Sequence, residues 1–94
     1  MRKYEGVIVF NPDVDEASRK SIFDRFTGII EDEGKLGEIS EWGMRRLAYE
    51  VDFFNQGYYY IVEFEAEPST IDELTRIGQI TDGILRYMFT RIED

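Results

Sequence analysis

Carboxylates are the most abundant side chains able to do chemistry in this chain, with 20 Asp and Glu among 94 residues. Two carboxylates could act as acid and base in a hydrolase. The acidic residues as a whole, however, concentrate on predicted helices and turns, where charged residues are mostly solvated. The chain has no His and no Cys. Imidazole catalysis, thiol nucleophiles, disulfides and metal sites built on His or Cys are therefore excluded.

Two short motifs begin like ion or phosphate sites but do not complete the pattern. Asp13-Val14-Asp15 starts like a calcium loop, but Ser18 and Asp24 occupy the positions that need Gly and Glu. The run from Gly28 to Gly34-Lys35 resembles a phosphate-binding loop. It is one residue too long, and Leu36 stands where Ser or Thr would bind magnesium. Neither motif predicts a metal or cofactor site.

The 11 basic residues are unevenly spread in a chain whose net charge is −9. Arg19, Lys20 and Arg25 alternate with acids on the first predicted helix, which favours pairing along that helix. A basic sheet beside acidic helices is the pattern of a small RNA-docking face, although charged strand edges also prevent aggregation. The net charge argues against autonomous, non-specific nucleic-acid binding. The candidate RNA-contacting residues on the predicted strands and their ends are Arg2, Lys3, Arg45, Arg46, Arg86 and Arg91.

A tyrosine run offers a second possible RNA signal. Gly57-Tyr58-Tyr59-Tyr60-Ile61 resembles part of the RNA-recognition-motif signature. Gln56 replaces the basic residue of that signature, Tyr59 replaces Gly or Ala, and Glu63 replaces the last aromatic residue. Glu63 and Glu65 would share the open face with Tyr59 and repel phosphate. The first and third tyrosines of the run are therefore interpreted as core residues.

Six elements must position these residues. Alternation predicts strands over 4–10, 36–51, 57–66 and 84–92. The second is bulged where Gly37 and Gly43 interrupt it, and the connection 52–56 leads into turn residues over 55–57. The first helix should begin at Asp13 or Asp15, because Asp13 and Glu16 have capping-box spacing, and should end before Gly34. The second helix should open at Pro68-Ser69-Thr70, with Thr70-x-x-Glu73 as its capping box, and the run 81–83 ends it.

The element order β-α-β-β-α-β predicts the architecture. Right-handed crossovers give a four-stranded antiparallel sheet with both helices on one face, a ferredoxin-like α+β sandwich. The length fits a single domain over 1–94. No apolar run approaches the ~20 residues of a membrane span, and the chain start does not read as a signal peptide. We therefore expect a cytoplasmic protein without membrane contact.

A specific run at residues 43–49, Gly-Met-Arg-Arg-Leu-Ala-Tyr, carries a family resemblance. Its order and spacing agree with landmarks along essentially the whole chain. With them, the chain resembles the bacterial small-subunit ribosomal protein S6 family. Those landmarks are Met1-Arg2-Lys3-Tyr4-Glu5, Asn11-Pro12, Trp42, Gly57-Tyr58 and Ile84-Leu85-Arg86-Tyr87.

The resemblance implies a non-enzymatic structural component of the ribosome that acts in translation, without cofactor or small-molecule substrate. Members of the family bind the 16S ribosomal RNA central domain together with small-subunit ribosomal protein S18, and the pair docks as a unit. A basic partner can supply the phosphate neutralisation that an acidic protein lacks. The residues that match the family's basic positions are Arg2, Lys3, Arg45, Arg46, Arg86 and Arg91. Expected either at the partner-binding surface or in the packing of the second strand are Trp42, Leu47 and Tyr49.

One departure from the family pattern falls in the loop after the second strand. The family run often continues Tyr-x-Ile-x-Lys, whereas this chain reads Tyr49-Glu50-Val51-Asp52-Phe53. The loop therefore lacks the basic residue that would contact phosphate. Two other functions stay open on fold alone: an independent single-stranded RNA binder of recognition-motif type, and a ferredoxin-like oligomerisation or ligand-binding module.

Overall fold

The order of elements in the computed structural model matches the predicted one. Residues 1–92 are described, and they form β1 (Arg2–Phe10), α1 (Glu16–Glu33), β2 (Lys35–Val51), β3 (Phe54–Ala66), α2 (Pro68–Ile80) and β4 (Ile84–Arg91). The strands make one antiparallel sheet in the order β2-β3-β1-β4. The helices cover one face of this sheet. The predicted ferredoxin-like βαββαβ sandwich is confirmed.

Strand β1 lies in the middle of the sheet, paired with both β3 and β4. Its side chains at Ile8 and Phe10 are fully buried under the helices, and Val9 on the opposite face is only 2 % exposed. Burial on both faces explains why this strand lacks a clean polar and apolar alternation. The core beneath the helices includes a stack of Phe23 on Tyr60, with ring centroids 4.4 Å apart.

Helix α1 begins after Asp15, one of the two predicted starts. The Asp15 carboxylate accepts the Ser18 backbone N–H at 2.7 Å. Hydrogen bonds from Ser18 to the ionised carboxylate, the backbone one first, lower the pKa of Asp15. A start at Asp13 was wrong, because the Asn11 side chain accepts the Asp13 N–H at 2.7 Å and holds that residue in a preceding turn. The helix ends at Gly34 as predicted, with the Gly34 N–H bonded to the Ile30 carbonyl.

Helix α2 begins earlier than its predicted capping box. Its first residue is Pro68, and its N-cap is Glu67, whose side chain makes no capping hydrogen bond. Proline suits this position because its fixed φ is helical and its missing N–H would have no helical partner. Thr70 therefore lies inside the first turn, 1 % exposed, and its hydroxyl has no hydrogen-bond partner. The capping box at Thr70 and Glu73 was wrong.

Strands β2 and β3 form a long hairpin with a shorter turn than predicted. Val51 pairs with Phe54, so only Asp52 and Phe53 form the turn, and both have positive φ. The predicted connection over 52–56, with its turn at 55–57, was wrong, because β3 already begins at Phe54. Gly57 has a packing role instead: a Cβ there would collide with the Cγ1 of Val9.

Candidate nucleic-acid interface

The sheet face turned away from the helices, called here the open face, is apolar near the β2–β3 hairpin. Strand alternation places Val9 of β1, Tyr59 and Ile61 of β3 and Met88 of β4 on it. At its other end the open face is acidic, since Glu5 pairs directly with Glu63. These carboxylates would repel anionic RNA from that part of the open face, whereas the cations at the two ends of the strands would attract it.

An aromatic and cationic cluster borders the apolar end on the β2 side. The Trp42 and Tyr59 rings stack with centroids 6.3 Å apart and planes 20° apart. The Arg45 guanidinium carbon lies 5.2 Å from the Trp42 ring centroid, and its Nε donates to the Trp42 carbonyl at 3.4 Å. A bulge makes this arrangement possible. Glu41 pairs with Tyr60 and Gly43 with Tyr59, which leaves Trp42 as the extra residue.

A second contact between an arginine and an aromatic ring joins the two edge strands across the open face. Arg86 of β4 donates a hydrogen bond to the Tyr49 hydroxyl of β2, and its guanidinium carbon lies 4.9 Å from the Tyr49 ring centroid. Leu47, two residues earlier, is 8 % exposed and lies close to Gly57. The end of β2 therefore folds over the open face. A depression of about 340 Å³ spans β3, β1 and β4, lined by Val7, Val9, Tyr59, Arg86, Tyr87 and Met88.

The six predicted RNA-contacting residues are all exposed but form two groups. Arg45, Arg46 and Arg86 lie at the hairpin end of the sheet, where Arg86 pairs with Val9 and Arg46 with Gln56. The other group lies at the opposite end, at the start of β1 and the end of β4. Arg2 and Val9, the residue that pairs with Arg86, are seven residues apart on β1, a span of ~23 Å at ~3.3 Å per residue. The members of that distant group are Arg2, Lys3 and Arg91.

The three predicted partner-binding residues have different environments. Leu47 is buried against the open face, so it packs the hairpin onto the sheet. Trp42 and Tyr49 remain 51 % and 60 % exposed. The sequence left open whether these residues bind a partner or pack the second strand. Leu47 is a packing residue, whereas Trp42 and Tyr49 form accessible aromatic surface.

Sequence reasoning missed a contact chain that links α1 to β2 across β3. The Arg19 guanidinium, 8 % exposed, lies 3.6 Å over the Tyr58 ring and donates to the Val14 carbonyl at 3.2 Å. Tyr58 in turn donates to the Glu41 carboxylate. That hydrogen bond, with desolvation, raises the pKa of Tyr58. Arg19 was predicted to pair along its own helix. Its main contacts instead join the helix layer to the sheet edge, which no helical spacing could reveal.

Phe53 was also missed as a surface feature. It is 95 % exposed at the tip of the β2–β3 hairpin, with φ of +69°. The consecutive phenylalanines Phe53-Phe54 are the only signal the sequence offered, because the turn lacks the glycine that usually marks it.

Within residues 1–92 there is no cluster of acidic side chains that could hold a metal ion and no helix long and apolar enough to cross a membrane.

The family assignment rests on the whole sequence rather than on the interface alone. The sequence pattern of the family described as Ribosomal protein S6 matches residues 3–91. This chain belongs to the ribosomal protein S6 family. The resemblance carried by residues 43–49 is thereby confirmed, and with it the prediction of a structural protein of the small ribosomal subunit rather than an enzyme.

Individual relatives cover the chain from end to end. The small ribosomal subunit protein bS6 of Clostridium novyi is 43% identical over 94 residues, covering 99% of each chain. The bS6 protein of Moorella thermoacetica is 39% identical, covering 100% of this chain and 97% of the relative. The crystal structure of 30S ribosomal protein S6 from Thermotoga maritima has a TM-score of 0.90 at 32% identity, over 97% of this chain and 87% of that one. Fold and family therefore agree along the full sheet.

Proposed function

We propose that this member of the ribosomal protein S6 family binds the central domain of 16S ribosomal RNA together with ribosomal protein S18, and that the two proteins dock as a unit. The observation that carries the proposal is the grouping of exposed arginines with aromatic side chains at the hairpin end of an otherwise acidic protein. Family membership supplies the ribosomal setting.

The RNA contacts are assigned to the exposed arginines. A guanidinium can pair with phosphate through two hydrogen bonds and can stack on a base. Arg45 and Arg86 already rest on aromatic rings, so they lose less side-chain entropy on binding than unsupported arginines would. Arg46 adds a third cation at this end of the sheet, on the opposite face from Arg45 because side chains alternate along a strand. The group of Arg2, Lys3 and Arg91 would make a separate contact at the far end of the sheet.

The partner contacts are assigned to the apolar part of the open face. The depression between Tyr59 and Met88, with the exposed rings of Trp42 and Tyr49 beside it, can accept apolar side chains of a second protein. The net charge of −9 favours a basic partner. Such a partner would also neutralise phosphates that this acidic chain would otherwise repel.

The experiment that tests the proposal is a binding titration. A central-domain fragment of 16S ribosomal RNA is titrated with this chain alone, with protein S18 alone, and with both. Tight binding only by the mixture is expected, because neither the charge of this chain nor its split basic groups favour autonomous binding. Circular dichroism on the same samples checks that the chain is folded.

Two results would contradict the proposal. Tight binding by this chain alone would favour an independent RNA binder of recognition-motif type, although Tyr58 and Tyr60 pack in or against the helix-covered core and only Tyr59 lies on the open face. No binding by the mixture, with this chain folded, would favour an oligomerisation or ligand-binding module. Sedimentation of the isolated chain would then detect self-association.

A further inference from the structure

The tip of the β2–β3 hairpin combines an unusual backbone with an unusual surface. Asp52 and Phe53 have φ of +49° and +69°, the signs that a two-residue type I′ turn requires. Such turns favour Asn or Asp at the first position and Gly at the second, so Asp52 fits and Phe53 does not. A bulky side chain in this left-handed region is strained.

Phe53 also gains nothing from packing within the described chain. Its side chain is 95 % exposed, more than any other large hydrophobic residue in residues 1–92. An apolar ring in water is unfavourable, and so is a strained backbone. Two costs at one residue, with no compensating internal contact, point to a contact outside this chain.

The charges beside the ring indicate what kind of surface that contact involves. Glu50 and Asp52 are exposed on either side of Val51, next to the tip. Neighbouring carboxylates repel an RNA backbone and attract Lys or Arg. A ring with two carboxylates close by in the chain is therefore complementary to an apolar pocket with a basic rim.

We propose that Phe53 is an anchor that inserts into an apolar, basic-rimmed pocket on the basic protein that pairs with this chain. The inference rests on the proposed function and adds to it a named contact outside the open face. A single exposed aromatic residue seated in a pocket is typical of the few side chains that dominate an interface. Removing the ring should raise the dissociation constant for the partner about tenfold.

The experiment compares Phe53→Gly with the unmodified chain in binding to purified protein S18. Glycine adopts positive φ freely, so this variant should melt at the same temperature as the unmodified chain or higher. A loss of affinity in a protein of unchanged or greater stability cannot come from misfolding. Ile80→Ala is the matched control, because Ile80 is an apolar residue 60 % exposed at the end of α2. Its affinity should be unchanged.

A charge variant distinguishes a protein partner from RNA. Asp52→Asn keeps a residue that tolerates positive φ but removes the carboxylate. It should weaken binding to protein S18 and reduce the salt dependence of that binding. Tighter binding of Asp52→Asn to the RNA fragment, with unchanged binding to S18, would assign the tip to RNA and overturn the inference.

The remaining outcomes separate this inference from the proposed function. If the unmodified chain binds S18 and Phe53→Gly binds equally well, the anchor is wrong and the proposed pairing stands. If the unmodified chain does not bind S18 at all, the pairing fails and the anchor fails with it.

Discussion

Arg45 lies on edge strand β2, where neighbouring groups hold its guanidinium in place and leave it exposed. The Trp42 ring and carbonyl hold one side of its guanidinium, and the side chain remains exposed. A charge held this way differs from Arg25 of α1, which is exposed but lies among acids in the helix layer. Exposure is common to Arg45 and Arg25, so the distinction depends on neighbours rather than on accessibility.

Replacing Arg45 by Ala should weaken binding of the protein pair to the RNA fragment. If Arg45 contacts one phosphate, the slope of log affinity against log salt should fall in magnitude by about one unit. Arg25→Ala is the control, since Arg25 is exposed on α1 and should leave the slope unchanged. An unchanged slope for Arg45→Ala would remove this residue from the RNA contacts.

At the residue scale, type and exposure were predictable and partners were not. Six of the seven cations on the strands were recognised because sequence position relative to strands separates them from helical ones, and Lys35, the first residue of β2, was missed. That Arg86 would meet Tyr49, 37 positions away, depends on how far the end of β2 folds over the sheet. Arg19 went to Tyr58 for a similar reason. Such contacts arise from tertiary geometry that local spacing does not encode.

The decisive element is β2, a strand of 17 residues with register shifts at three places. Each shift changes which side chains face outward, since side chains alternate along a strand. The shift at Gly43 turns Trp42 toward Tyr59, and the one after Arg46 lets the strand end cross the open face. One edge strand therefore supplies most of the candidate interface.

Gly43 and Gly28 form a matched pair for testing the bulge. A Cβ would meet nothing within 4 Å at either glycine, but Gly43 has φ of +80° and Gly28 lies within α1. Gly43→Ala should destabilise the protein by about 1 kcal/mol, because alanine disfavours positive φ. Gly28→Ala should stabilise it by a similar amount. Urea unfolding measures both, and equal midpoints for Gly43→Ala and the unmodified chain would contradict a strained bulge.

Element identities were predictable where hydrophobic periodicity was strong, and boundaries where a cap or glycine fixed them. The start at Asp15, the stop at Gly34 and the bulge at Gly43 were all predicted. The failures came from competing local signals. Helix α2 begins at Pro68, so Thr70 lies inside its first turn and does not cap it. The turn at Asp52 and Phe53 contains no glycine, so β3 was predicted to begin too late in the sequence.

At the scale of the whole molecule, we propose that the chain folds as a single domain. One hydrophobic cluster joins β1, α1, β3 and α2, and the Arg19–Tyr58–Glu41 chain adds the edge strand β2 to it. No part of the described chain has a separate core of comparable size. Cooperative unfolding is the expected behaviour of a domain built this way.

Thermal unfolding should therefore be a single transition. Trp42 is the only tryptophan of the chain and lies on β2, so its fluorescence reports on the sheet edge. Far-ultraviolet circular dichroism reports mainly on the helices. Coincident midpoints are expected from the two signals. An earlier fluorescence transition would mean that β2 detaches before the rest and that the single-domain proposal is wrong.

The separation of the two basic groups makes the sheet a spacer of set length. Strand β1 connects the ends, and its backbone, paired on both sides, can neither stretch nor hinge. If both groups bind RNA, the two phosphate sites they reach lie roughly 20 Å apart in the assembled particle, the length of β1 between the groups. An RNA whose segments sample many separations would be held at one of them, so the protein would act as a strut that selects a single arrangement of the strands it touches.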